Sequence, residues 1–281
     1  MEFVLDTLNY FSVLMLVVLG LVVIFGLMNV INMAHGEFIL IGAYTVVAVT
    51  SAGGSFWLAL VIGSLVAGLA GLLVELLVVR HIYTRFIDTI LATWGVSLVL
   101  KQTVIVIFGP TGQSVQNPLP GVMNVFGVEY PRMRILIIGM AFGLTVVLYL
   151  ALFSSRLGLK LRAVIANRDM ASTLGLNTRR MDMASFSLGA GLAGFAGALM
   201  SPMISVDPQL GVGFLIPSFL SILLGGLNSL LGPILGVGAI SGSTNLIAGW
   251  LSQADTQVIV FLLAILVIRL FPEGILKRRQ K

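Results

Sequence analysis

Long apolar runs alternate with short polar ones along the whole chain. The apolar stretches fall at about 10–28, 36–52, 55–79, 89–108, 132–154, 183–203, 212–227, 230–250 and 256–271. A helix that crosses a bilayer needs roughly 17–25 residues. The pattern therefore predicts an all-α integral membrane protein, a polytopic bundle of about nine spans, eight to ten as the shortest runs are split or joined. No run alternates with the period of a strand, which excludes a membrane barrel. Two runs are broken, at GLMNVINMAHGE (26–37) and at GGLNSLLGP (225–233). Both breaks carry Gly-Leu followed by Asn, a weak internal repeat of parallel sense. Discontinuous helices in matching positions of two halves mark a transport path.

Of 281 residues, 58% are apolar and 10% charged, with a mean hydropathy of +1.08. Soluble domains carry about 25% charged residues, so residues 1–281 read as one membrane-embedded domain. The net charge of +5 does not point to nucleic acid, because the basic residues sit between apolar runs. Cysteine is absent and only two histidines occur, which leaves no thiolate site, no metal site and no cofactor to expect. The first ten residues lack a basic n-region, so no cleaved signal is expected. There is no G-x-x-x-x-G-K-[ST] phosphate loop. No serine, histidine and acid set assembles either, so the chain does not read as an enzyme.

One polar stretch stands out. Residues 155–182 hold Arg156, Lys160, Arg162, Arg168, Arg179 and Arg180 against Asp169 and Asp182. Lys and Arg concentrate in cytoplasmic loops, which puts this loop in the cytoplasm, together with the 80–88 loop and the basic tail. Glu2 and Asp6 precede the first run without a basic partner, so the N-terminus is expected outside and the C-terminus inside. The 109–131 loop is then external. Val164, Ala171 and Leu174 fall near one face of a short amphipathic helix, and Gly175 stands where it would stop.

Polar residues inside apolar runs are the candidates for chemistry. Irregular backbone at membrane depth is tolerated where protein buries it or water reaches it, so Asn29, Asn32, His35 and Glu37 face inward. They either line a path or cap helix ends, with Asn32 as an N-cap and Glu37 complementing a helix N-terminus. Thr93 and Trp94 occupy an apolar run, the tryptophan as packing or path. Lys101 follows as a snorkelling lysine, and Glu75 is placed to pair with Arg80. Small residues at 67 and 71, 190–197, and 232–242 predict close helix packing.

Three of these stretches, in this order, resemble one family. Asn29 to Glu37 (NVINMAHGE) is similar to the N-x-A-H-G-E signature of branched-chain amino acid and urea ABC-importer permeases. Residues 162–176 resemble that family's cytoplasmic coupling segment, and 225–233 its late glycine-rich signature. The runs TILATWG (89–95) and NRDMA (167–171) lean towards the urea branch. The resemblance implies a permease that translocates urea or a short amide, with a branched-chain amino acid permease as the alternative. A self-contained channel or ion-coupled carrier is the reading from another class. The family resemblance implies a multi-pass protein of the bacterial inner membrane, with a periplasmic N-terminus. Its implied partners are a second, homologous but different permease, two cytoplasmic ATP-binding subunits, a periplasmic binding protein and membrane lipid. Carried over residue by residue, Arg162, Ala163, Asn167, Arg168, Asp169, Ala171 and Gly175 would engage the ATPases. Asn29, Asn32, His35, Glu37, Thr93, Trp94 and Asn228 are the substrate-path candidates. Urea must replace its water with uncharged donors and acceptors, which Asn29, Asn32, Thr93 and Asn228 offer.

Overall fold

The computed structural model describes residues 1–28, 30–83, 86–226, 231–271 and 274. Asn29 and Asn228 lie outside the described residues, as do residues 227–230 of the second break and the basic tail. The elements run α1 (Glu2–Met28), α2 (His35–Ser51), α3 (Phe56–Leu77), a 3-10 turn (Val79–His81) and α4 (Phe86–Phe108). A hairpin follows, β1 (Val122–Val125) and β2 (Val128–Pro131), then α5 (Arg132–Ser154), α6 (Arg156–Ala166) and α7 (Arg168–Thr173). The chain continues through α8 (Thr178–Met200), α9 (Leu210–Gly225), α10 (Leu231–Ala248) and α11 (Gln253–Leu270).

Among the described residues, six helices are long and apolar enough to cross a membrane: α1, α3, α4, α5, α8 and α10. α2 and α9 are apolar but shorter, at 17 and 16 residues. Their shortness has a geometric cause. The His35 ring reaches the carbonyl of Val17, with Nε2 and the oxygen 3.2 Å apart. Val17 lies eleven residues before the end of α1, which at 1.5 Å per residue is roughly 16 Å. α2 therefore begins deep inside the bundle, not at its end. α9 begins beside it. A Cβ on Gly36 would stand 2.5 Å from the carbonyl oxygen of Gly211, so the second residues of α2 and α9 cross in backbone contact. Glycine at both positions is what permits that crossing.

The small residues of α8 do the same for the centre of the bundle. α3, α1 and α2 all pack chiefly on α8. A Cβ on Gly194 would collide with Ala67 of α3, and a Cβ on Gly42 of α2 would collide with the Gly194 backbone. The pair at 238 and 242 differs: Gly242 has open space around it and Gly238 meets only the Phe11 ring at 3.8 Å.

The two polar regions flank opposite ends of α5. At one end, Asp6 of α1 accepts from the Tyr130 hydroxyl at 2.9 Å and from Arg134 at 2.7 Å, which ties the hairpin to the start of α1. Gln113 bridges to Val206 at this end as well. The hairpin itself was not expected from the period of the sequence; its strands are four residues each, too short for alternation to register. At the other end, the expected single amphipathic helix is two. α6 stops at Ala166, and extended Asn167 (φ −158°, ψ 104°) accepts from the Met170 N–H and caps α7. Val164 and Ala171 are buried as expected, but Leu174 is 77% exposed. The break at Asn167 turns it out of the shared face. Gly175 ends α7 with φ +84°, a conformation that suits glycine.

Candidate functional site: an interior polar seam and a charged end

The broken stretch before α2 meets one stripe of α4. Thr89, Thr93 and Ser97 recur every four residues, so they share one helical face, and all three are buried in a helix most of whose other side chains are exposed or half-buried. Thr93 Oγ1 donates to the Thr89 carbonyl at 2.8 Å and accepts from the Met33 N–H at 3.1 Å. The Ser97 hydroxyl donates to Glu37 Oε1 at 2.8 Å. One turn further on, Lys101 Nζ stands 3.5 Å from Gln209 Oε1, just before α9.

Asn32 does not cap α2. The N-cap is Ala34, which makes no side-chain cap bond. Asn32 Oδ1 instead accepts from the Ala34 N–H at 3.0 Å, two residues on, an Asx turn that closes the irregular segment. The cap reading fails because the helix starts two residues later than that reading requires. Glu37 does lie in the first turn of α2. Three atoms in this short region are buried without a protein partner: Asn32 Nδ2, His35 Nδ1 and Glu37 Oε2. A buried, unpaired polar group costs about 1–3 kcal/mol, so the seam holds a donor and two acceptor sites in reserve.

The structure thus brings Asn32, His35, Glu37 and Thr93 together. Trp94, the next residue round α4, is 56% exposed and lies apart from them. Sequence reasoning passed over Ser97 and Gln209. Ser97 was detectable, since 89, 93, 97 and 101 form a polar stripe of period four; Gln209 was not, because no local pattern places it against Lys101.

At the charged end, Arg162, Ala163, Asn167, Arg168, Asp169 and Gly175 are at least partly exposed, and Ala171 is buried. The Arg162 guanidinium lies 4.9 Å from the centroid of the Phe153 ring, which folds α6 back on α5. Arg168 pairs with both carboxylate oxygens of Asp182, a residue only 1% exposed. That bond raises the Arg168 pKa from its ordinary value. No group of three or more His, Cys, Asp or Glu side chains that could hold a metal occurs among the described residues.

Comparison with known proteins adds a family. The pattern of the family described as branched-chain amino acid transport system / permease component matches residues 3–269. The chain is 28% identical over 279 residues to the high-affinity branched-chain amino acid transport system permease protein LivH of Salmonella typhimurium, covering 94% of this chain and 91% of the relative. It is 30% identical over 281 residues to the corresponding permease protein BraD of Pseudomonas aeruginosa, with the same coverage. Similarity to the permease protein LivM of Escherichia coli is 31% over 208 residues, covering 65% of this chain and 48% of that relative. No solved structure matches. A match of this length, carried through the broken helix and the charged end alike, makes the chain a member of the branched-chain amino acid transport permease family.

Proposed function

We propose that the chain is the membrane-spanning permease subunit of an ATP-driven ABC importer, and that its cargo is a branched-chain amino acid. It is a transport subunit and not an enzyme. The observation that carries the cargo is the end-to-end similarity to LivH and BraD, both named for branched-chain amino acids. The urea reading rests on the 89–95 and 167–171 runs and on uncharged donors and acceptors along the path. A zwitterionic amino acid, unlike urea, is served by both signs of charge inside the membrane. Glu37 and Lys101 supply both, reached from Ser97 and the next turn of the same α4 stripe. That weakens the case for urea.

In this reading the six long helices cross with α2, α9 and α11, giving nine passes, a periplasmic N-terminus and a cytoplasmic C-terminus. α6 and α7 then face two ATP-binding subunits. A second, different permease pairs with this one, and a periplasmic binding protein delivers the cargo. The exposed outer faces of α4 and α5 meet lipid or that partner. The Asn32–His35–Glu37–Thr93 seam, with Asn29 and Asn228, is the cargo path.

Competition separates the cargoes. In the assembled transporter, ATP-driven uptake of labelled leucine should be blocked by excess isoleucine or valine and untouched by urea. Blocking by urea, with no effect of valine, would restore the urea reading. Gradient-driven flux through this chain alone, indifferent to ATP, would replace both with a channel or carrier.

A further inference from the structure

The residues behind Arg168 form a continuous chain of contacts. Its guanidinium pairs with Asp182 at the start of α8 and lies 5.9 Å from the centroid of the Tyr83 ring. The Tyr83 hydroxyl donates to Glu75 Oε1 at 2.8 Å, near the end of α3. The Glu75 side chain is fully buried, and its other oxygen pairs with Arg80 at 3.6 Å. Arg80 in turn reaches Met183 Sδ of α8 at 3.6 Å. The ring closes on itself: α7 to α8, α7 to the turn after α3, and α3 back to α8. Burial, and after it the Glu75 carboxylate, push the Tyr83 phenol upward from its ordinary pKa. Tyr83 therefore keeps its proton and is the donor to Glu75.

Both carboxylates in this ring are almost wholly removed from water. Removing one partner of a buried pair strands the other charge, so the ring resists being pulled apart one contact at a time. The helices it joins, α3 and α8, make the most extensive contact in the bundle. By contrast, α7 is a six-residue helix between Asn167 and Gly175, and its packing on α8 is slight. Its other neighbour is α6, so the ring is its main tie to the α3–α8 pair.

We propose that Glu75, Tyr83, Arg80 and Asp182 are positioning residues that clamp α7 to the α3–α8 pair through Arg168, so that the three elements move as one body. The proposal rests on the reading of 162–175 as the ATPase-coupling segment. It adds which helices receive the motion and through which side chains. None of these four residues needs to touch an ATPase subunit.

The test uses the reconstituted importer with all its subunits. The chain has no cysteine, so paired spin labels on Ser172→Cys in α7 and Leu65→Cys on the outer face of α3 report one distance. With the native ring, that distance should stay fixed, within about 2 Å, the size of ordinary helix shifts, when a non-hydrolysable ATP analogue is added. In Tyr83→Phe and Asp182→Asn, ATPase subunits should still co-purify, but the distance should broaden or shift beyond that limit. The charge swap Arg168→Asp with Asp182→Arg should restore the narrow distribution. A native distance that changes with nucleotide overturns the proposal, as does an unchanged distance in Tyr83→Phe. If Asp182→Asn fails to fold, Tyr83→Phe and the swap decide. Failure of the coupling reading itself shows separately: replacing 164–174 with Gly-Ser would then leave ATPase co-purification intact.

Discussion

Single residues decide whether the seam can exist. Glu37 is held through one oxygen by Ser97 while the other is unpaired. Ser97→Ala leaves the carboxylate with neither bond. The loss of one partner to a buried group costs about 1–3 kcal/mol, so thermal unfolding of the detergent-solubilised protein should fall by several degrees, and uptake with it. Ser97→Thr, which keeps the hydroxyl, should recover most of both. Gly36 is constrained differently. Its Cα faces the Gly211 backbone, and a methyl group there has no room. Gly36→Ala forces α2 and α9 apart at their common start, and the yield of monodisperse protein should drop sharply. The same change at Gly95, which has open space around it, should leave yield unchanged. Size-exclusion profiles of the two variants make the comparison direct.

At the scale of elements, hydropathy located the helices better than it located their ends. α1, α3, α5 and α8 were legible because each is a continuous apolar run long enough to span. α2 and α9 were legible as apolar runs, but not as helices that begin in the interior, since composition carries no depth. Only the His35–Val17 contact and the Gly36–Gly211 crossing fix that. The polar seam was half visible: Asn32, His35 and Glu37 announced themselves by breaking a run, whereas Ser97 looked like an ordinary small residue in a helix. The charged end was read as one helix because Val164, Ala171 and Leu174 share a period. Asn167 interrupts that period by accepting a backbone bond, a choice between cap and helix interior that the asparagine could have made either way. Its replacement is informative. Asn167→Ala removes the cap of α7 at a cost of about 1 kcal/mol. Hydrogen exchange at the N–H of Met170 should accelerate roughly fivefold, with α8 unaffected. Arg168→Glu puts two carboxylates against each other at Asp182, and ATP-driven uptake should be abolished.

For the whole molecule, the two ends of the bundle are chemically distinct. Asp6, the hairpin and the Gln113–Val206 bridge gather at one end, and the 155–182 segment lies at the other end of α5. Side-specific labelling resolves the orientation, because a protein without cysteine accepts single reporters without background. Cysteines introduced at Phe126, 85% exposed, and at Leu174 should react with a membrane-impermeant maleimide from opposite faces of sealed vesicles. Phe126→Cys should react from the periplasmic side and Leu174→Cys from the cytoplasmic side. The reverse result would invert the proposed topology and remove the ATPases from α7.

The shared interior origin of α2 and α9 has a mechanical corollary. Where two helices begin side by side, the barrier between the two sides of the bundle is set by a few backbone contacts, those of Gly36 and Gly211. In the proposed permease a small displacement of either helix start would be enough to open it.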